Sequence, residues 1–75
     1  MNRKTAIELG GRVFQIEEAA ITEIEAYLAA LRRSFSKEAD AAEIIADIES
    51  RMSELFAHKT GMNRPISLED ARAVL

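Results

Sequence analysis

There is no cysteine in this chain and only one histidine, His58. No disulfide can staple it, and no thiolate can hold a metal. Positive charge is not in excess either. Ten Lys and Arg stand against thirteen Asp and Glu, for a formal net charge of −3 and a pI near 5.1. Nucleic-acid-binding domains usually carry a clear basic excess, so this balance points away from one. No apolar run approaches the ~20 residues of a membrane span. Met1-Asn2-Arg3-Lys4 is not followed by the apolar stretch of a signal peptide. These residues therefore read as a soluble piece. Repeats and low-complexity segments are also missing.

The chain of 75 residues amounts to one small domain, 1–75, or a piece of one. A core of this size supplies roughly 3–5 kcal/mol at best. With no disulfide, further stability has to come from close helix packing, a partner or additional chain.

What is present starts with two alternating runs, Thr5-Ala6-Ile7-Glu8-Leu9 and Arg12-Val13-Phe14-Gln15-Ile16, around Gly10-Gly11. A type I′ hairpin needs φ > 0 at both central residues, which glycine adopts without strain. That turn sets Leu9 opposite Arg12, Ile7 opposite Phe14 and Thr5 opposite Ile16. Ile7, Leu9, Phe14 and Ile16 then share one face, and Ala6, Glu8, Val13 and Gln15 the other. The remaining sequence has helical periodicity. A first helix is expected from about Glu17 to Ser34, with Ala20, Ile21, Ile24, Tyr27, Leu28, Leu31 and Phe35 inward. A second follows the short polar link Ser36–Ala39, with Asp40 as N-cap, Glu43 completing an approximate capping box and Gly61 as the stop. Its apolar face is Ile44, Ile45, Ile48, Met52, Leu55 and Phe56. A third begins after Pro65, capped by Ser67 with Asp70 three residues on, Ile66 stapled to Ala71, and Leu68, Ala71 and Leu75 on one face. This last pattern stops at Leu75 without a C-cap, so the natural protein is expected to continue.

The expected fold is α+β: an N-terminal two-stranded β-hairpin packed on about three α-helices, the third truncated. Its predicted core is Ile7, Phe14, Ile16, Ile24, Leu28, Leu31, Phe35, Ile44, Ile48, Met52, Leu55 and Phe56. A ribbon alone is marginal, and it leaves two strand edges that must be blunted or paired. Candidate interface residues are therefore Glu8, Val13 and Gln15 on the ribbon. Ala26 and Ala30, with Ala29, give the first helix a small-residue side open to a partner helix.

The charged residues read more simply as structure than as chemistry. Glu43, Asp47, Glu54 and His58 run along one helix, too far apart end to end for a single ion, and such a run is ordinarily a solvated face. Asp47 and Arg51 are spaced as an i,i+4 pair. His58 has no catalytic companion and sits where a helix end favours a cation. Gly10-Gly11-Arg12 is too short to cradle a phosphate and leads into a strand rather than a helix. Arg32, Arg33, Lys37 and Arg64 could meet phosphates, but the helix connectors are too long for a helix-turn-helix. Arg3 and Lys4 could lie near a membrane surface. No constellation supports an enzyme, a cofactor, a metal or a small-molecule substrate.

The segments IELGGRVFQIEEAAITEIEAYLAALRRSF, EIIADIESRMSELF and ISLEDARAVL resemble the N-terminal region of the bacterial phage shock protein C (PspC) family, described as stress-responsive transcriptional regulators. The residues carrying the resemblance are Gly11-Arg12, Phe14, Ile16, Tyr27-Leu28, Leu31-Arg32-Arg33, Phe35, Glu43-Ile44-Ile45, Asp47-Ile48-Glu49, Arg51, Glu54-Leu55-Phe56 and Ile66-Ser67-Leu68-Glu69-Asp70. The chain departs from the pattern at Glu17-Glu18-Ala19-Ala20, where the family often has Asp-Glu-Asp-Ala. The resemblance implies a domain on the cytoplasmic side of the inner membrane, preceding a membrane segment that is not in this chain. Its work would be protein contact in envelope stress, with itself or another component. The alternative, suggested by the family description, is a small DNA-binding regulator.

Overall fold

In a computed structural model, which describes residues 5–75, the ribbon comes first. Strands β1 (Ala6–Leu9) and β2 (Arg12–Gln15) are followed by helices α1 (Glu18–Ser34), α2 (Ala41–Thr60) and α3 (Leu68–Val74). The fold is α+β, a hairpin on three helices, and the third helix is short. Arg3 and Lys4 lie outside the described residues.

The turn is the one the glycines imply. Gly10 and Gly11 take φ of 54° and 84°, and the strands pair Leu9 with Arg12, Glu8 with Val13, Ile7 with Phe14 and Ala6 with Gln15. The Ile16 N–H donates to the Thr5 carbonyl, 3.1 Å away, which extends the ladder by one pair. Leu9, Phe14 and Ile16 are buried and Ile7 packs beside them.

A third backbone segment joins the ribbon, unforeseen in the sequence. Ile66, in the connector between α2 and α3, forms a parallel bridge with Ile16. Its N–H donates to the Gln15 carbonyl at 2.9 Å, and its carbonyl accepts from the Glu17 N–H at 2.9 Å. The lower edge of β2 is thus already paired, and only part of the expected free edge remains. Ile66 itself is fully buried.

The core is compact and lies at one end. Phe56, Ile24, Ile66, Ala20 and Ala71 have no exposed surface, and Leu9, Phe14, Ile16, Leu28 and Met52 complete the cluster. Phe14 and Phe56 meet edge to face, ring centroids 6.2 Å apart at 67°, the geometry that aromatic quadrupoles favour. α1 packs more extensively on α3 than on α2. Beyond this cluster α1 and α2 run on as a two-helix arm, and the molecule measures 41 × 23 × 19 Å. From Ala29 to Arg51 no residue is buried.

That arm corrects several sequence expectations. Leu55 was expected in the core but is 45% exposed. Phe35 and Ile44 are half-buried and lie outside the core cluster, while Leu31 and Ile48 are half-buried against its margin. Helical periodicity identifies a shared face; here α2 is longer than anything packed against it. On α3 the inward residues are Ala71 and Val74, whereas Leu75 is 41% exposed.

The caps divide likewise. Ser67 and Asp70 form a complete capping box: the Asp70 N–H donates to Ser67 Oγ at 3.1 Å and the Ser67 N–H to Asp70 Oδ2 at 3.0 Å. Gly61 ends α2 in the left-handed conformation, φ 64°. Asp40 holds the N-cap place of α2 but its side chain caps nothing. Its φ and ψ of −98° and 18° belong to a turn rather than the extended backbone that aims a cap side chain at the helix.

Candidate functional site

The expected interface residues are all on the surface. Glu8, Val13 and Gln15 are exposed on the outer face of the ribbon, Val13 at 64%. Ala26 and Ala30 sit one turn apart on the exposed side of α1. The ladder turns the backbone groups of Ala6, Glu8, Val13 and Gln15 outward, because they fall at the non-bonded positions of an antiparallel pair. Of these, Gln15 is taken by Ile66. Ala6, Glu8 and Val13 make no outward backbone bond among the described residues. Val13 also lines a cleft of about 310 Å³ with Phe14, Gln15, Met62, Asn63 and Arg64. Met62 is 52% exposed and has a left-handed φ of 60°.

The acidic run on α2 gathers nothing. Glu43, Asp47, Glu54 and His58 are exposed along the helix, and no group of three His, Asp or Glu side chains fit to hold a metal exists among the described residues. No ion pair joins Asp47 to Arg51 there either. Both instead flank an apolar groove of about 280 Å³ lined by Tyr27, Ile48, Met52, Leu55 and Val74. No helix of the described residues is long and apolar enough to cross a membrane.

Two of the four cations weighed for phosphate binding already have acidic partners. Arg64 holds Asp70 with both ends of its guanidinium, 2.6 Å to Oδ2 and 3.1 Å to Oδ1. It also donates to the carbonyls of Lys59 and Pro65. Arg32 stands 3.6 Å from Glu49. Arg33 and Lys37 are exposed.

The Arg64–Asp70 fork ties the end of α2 to the start of α3 and fixes the connector that carries Ile66 to the ribbon. The Arg64 hydrogen bond, seconded by the Ser67 N–H, holds the Asp70 carboxyl well below its ordinary 3.8. A group with a depressed folded pKa stabilises above its unfolded value and loses that stabilisation as pH falls toward the folded one. Asp70→Asn should therefore cost about 1–3 kcal/mol at neutral pH. Denaturant unfolding of the two proteins should converge as the pH drops below about 4. Curves that stay parallel down to acid would show that the carboxylate charge contributes nothing.

Sequence reasoning found the Ser67–Asp70 box but missed Arg64 as its third member. The signal available was a lone Arg between Asn63 and Pro65, six residues before the acid. It also missed Ser53, fully buried beneath the hairpin turn and accepting a hydrogen bond from Arg12 at 3.0 Å. No family model, no curated protein and no solved structure matches this chain.

Proposed function

We propose that this chain is a protein–protein interaction and regulatory domain of the envelope-stress, phage-shock type, self-associating and working at the cytoplasmic side of a membrane that anchors the whole protein. The resemblance supplies the setting. The observation that carries the interaction reading is the uncovered arm. Leu31, Phe35, Ile44, Ile45 and Ile48 lie in a stretch with no buried residue, and Leu55 is exposed at its margin. Each of the five is half-buried rather than covered, and large apolar side chains left partly open to solvent on one arm are the kind of surface by which proteins associate. A domain with so small a core gains stability by covering it.

The experiment is the solution mass of the chain by light scattering over a wide concentration range, beside salt-dependent retention on DNA. The expected result is a mass rising toward the dimer with concentration, and no retention. A monomer throughout would overturn self-association. Retention that weakens steeply with salt would put the DNA-binding regulator in its place.

A further inference from the structure

The outer edge of β1 is an open backbone template. Ala6 and Glu8 each turn an N–H and a C=O away from β2, and these groups make no backbone bond among the described residues. The edge of β2 is less open, because Ile66 takes the Gln15 carbonyl. Beside β1 lies a cleft of about 300 Å³ lined by Ile7, Glu8, Glu25, Leu28, Arg32 and Glu49. Ile7 and Leu28 supply its apolar part. Of its charges three are carboxylates, and its one guanidinium, on Arg32, already stands 3.6 Å from Glu49. Glu8 and Glu25 are exposed and have no ion-pair partner among the described residues.

We infer that this edge takes a basic extended segment of a partner protein, added to the ribbon as a third, antiparallel strand. The inference rests on the interaction reading above and names a partner other than the chain itself. Two arguments select the occupant. Unpaired N–H and C=O groups at strand spacing are matched by another extended backbone, and an acidic cleft is matched by Lys or Arg. The register follows from the ladder. Two residues of the segment, two apart, exchange hydrogen bonds with Glu8 and Ala6, and the residue between them lies opposite Ile7. Opposed residues share a face, so this middle side chain turns inward over the cleft. An Arg or Lys there lays its stem on Ile7 and Leu28 and brings its charge to Glu25. The residue opposite Glu8 is on the outer face, where a second cation meets the Glu8 carboxylate. A second copy of this chain fits the edge poorly. Pairing β1 with β1 would bring two acidic clefts to one seam, and like charges in apposition are selected against.

The test titrates the isotope-labelled chain with the peptide acetyl-Thr-Lys-Arg-Thr-Val-amide and follows amide shifts by NMR. Shifts should centre on Ala6 to Leu9 and on Glu25 and Leu28. Glu25→Lys should weaken binding about tenfold, and Arg32→Ala, which removes a competing cation, should strengthen it severalfold. Glu25 and Arg32 are exposed, so both variants should stay folded, with circular dichroism as the control. N-methylation of the peptide Lys, whose N–H faces Glu8, should abolish binding, while N-methylation of the Arg, whose N–H points away, should be tolerated. Opposite signs at Glu25 and Arg32 together with this N-methyl contrast would establish the strand. Binding indifferent to N-methylation would overturn strand addition, and equal binding of a peptide with Glu in place of Lys and Arg would overturn the charge argument. No shift in β1 with millimolar peptide would remove the site altogether. If the solution mass still rises to a dimer in that case, the interaction reading stands without it. A dimer that the peptide dissociates would assign the edge to a second copy instead.

Discussion

Phe56→Ala should unfold the domain, whereas Phe35→Ala should leave it folded. The two side chains are the same size, one within α2 and the other just after the end of α1, and sequence periodicity places both inward. Phe56 is fully buried, meets Phe14 edge to face at 6.2 Å, and belongs to the cluster that joins ribbon and helices. Truncating such a ring costs about 3–5 kcal/mol, transfer and cavity together. That equals the roughly 3–5 kcal/mol that a core this small supplies. Phe35 follows the end of α1 at the tip of the arm, half-buried and outside the core cluster. Losing part of its burial costs about 1 kcal/mol, and the arm can close over a gap that solvent already reaches. Urea unfolding at low protein concentration, where no partner covers the arm, separates the two. Equal losses would mean that the arm is as closely packed as the base.

The contrast shows where periodicity stops being informative. Spacing at three and four residues found the inward side of α1 and the buried Met52 and Phe56 of α2. It could not tell that α2 outruns its neighbours, so Leu55 and Ile44 were placed in a core that does not reach them. Local chemistry was read more securely. Gly10-Gly11 and Ser67–Asp70 act through backbone and side-chain groups a few residues apart, and both motifs formed as expected. The Asp40 cap failed because its outcome depends on the backbone of the preceding turn. The Ile16–Ile66 bridge was illegible for another reason: a single parallel pair leaves no alternating run, and its partners are far apart in sequence. Its consequence for function is direct. It occupies part of the edge on which strand pairing with another chain would depend. The residues offered as an interface were legible as surface, while the groove between Asp47 and Arg51 emerged only once three helices were assembled.

Gly10→Ala should cost about 2–4 kcal/mol, and Gly11→Ala only about 1 kcal/mol, although both glycines have positive φ in one turn. A side chain at either position strains the left-handed backbone, and that part of the cost is common to both. The surroundings differ. A Cβ on Gly11 would meet nothing within 4 Å, whereas one on Gly10 would come to 2.8 Å from the Ser50 Cα and 3.1 Å from the Ser53 Cβ. The Glu49 carbonyl oxygen would lie at 3.2 Å. These are atoms of the helix itself, which cannot turn aside as a long side chain can. The ribbon must therefore lift off α2, and with it goes the Arg12 hydrogen bond to the buried Ser53. Asparagine separates strain from contact, since it tolerates the left-handed region. Gly11→Asn should be close to neutral and Gly10→Asn nearly as damaging as Gly10→Ala. Equal effects at the two positions would mean that the turn does not rest on α2. If the difference appears, the hairpin is a clamp seated on the middle of the helix, at the boundary between the buried base and the uncovered arm.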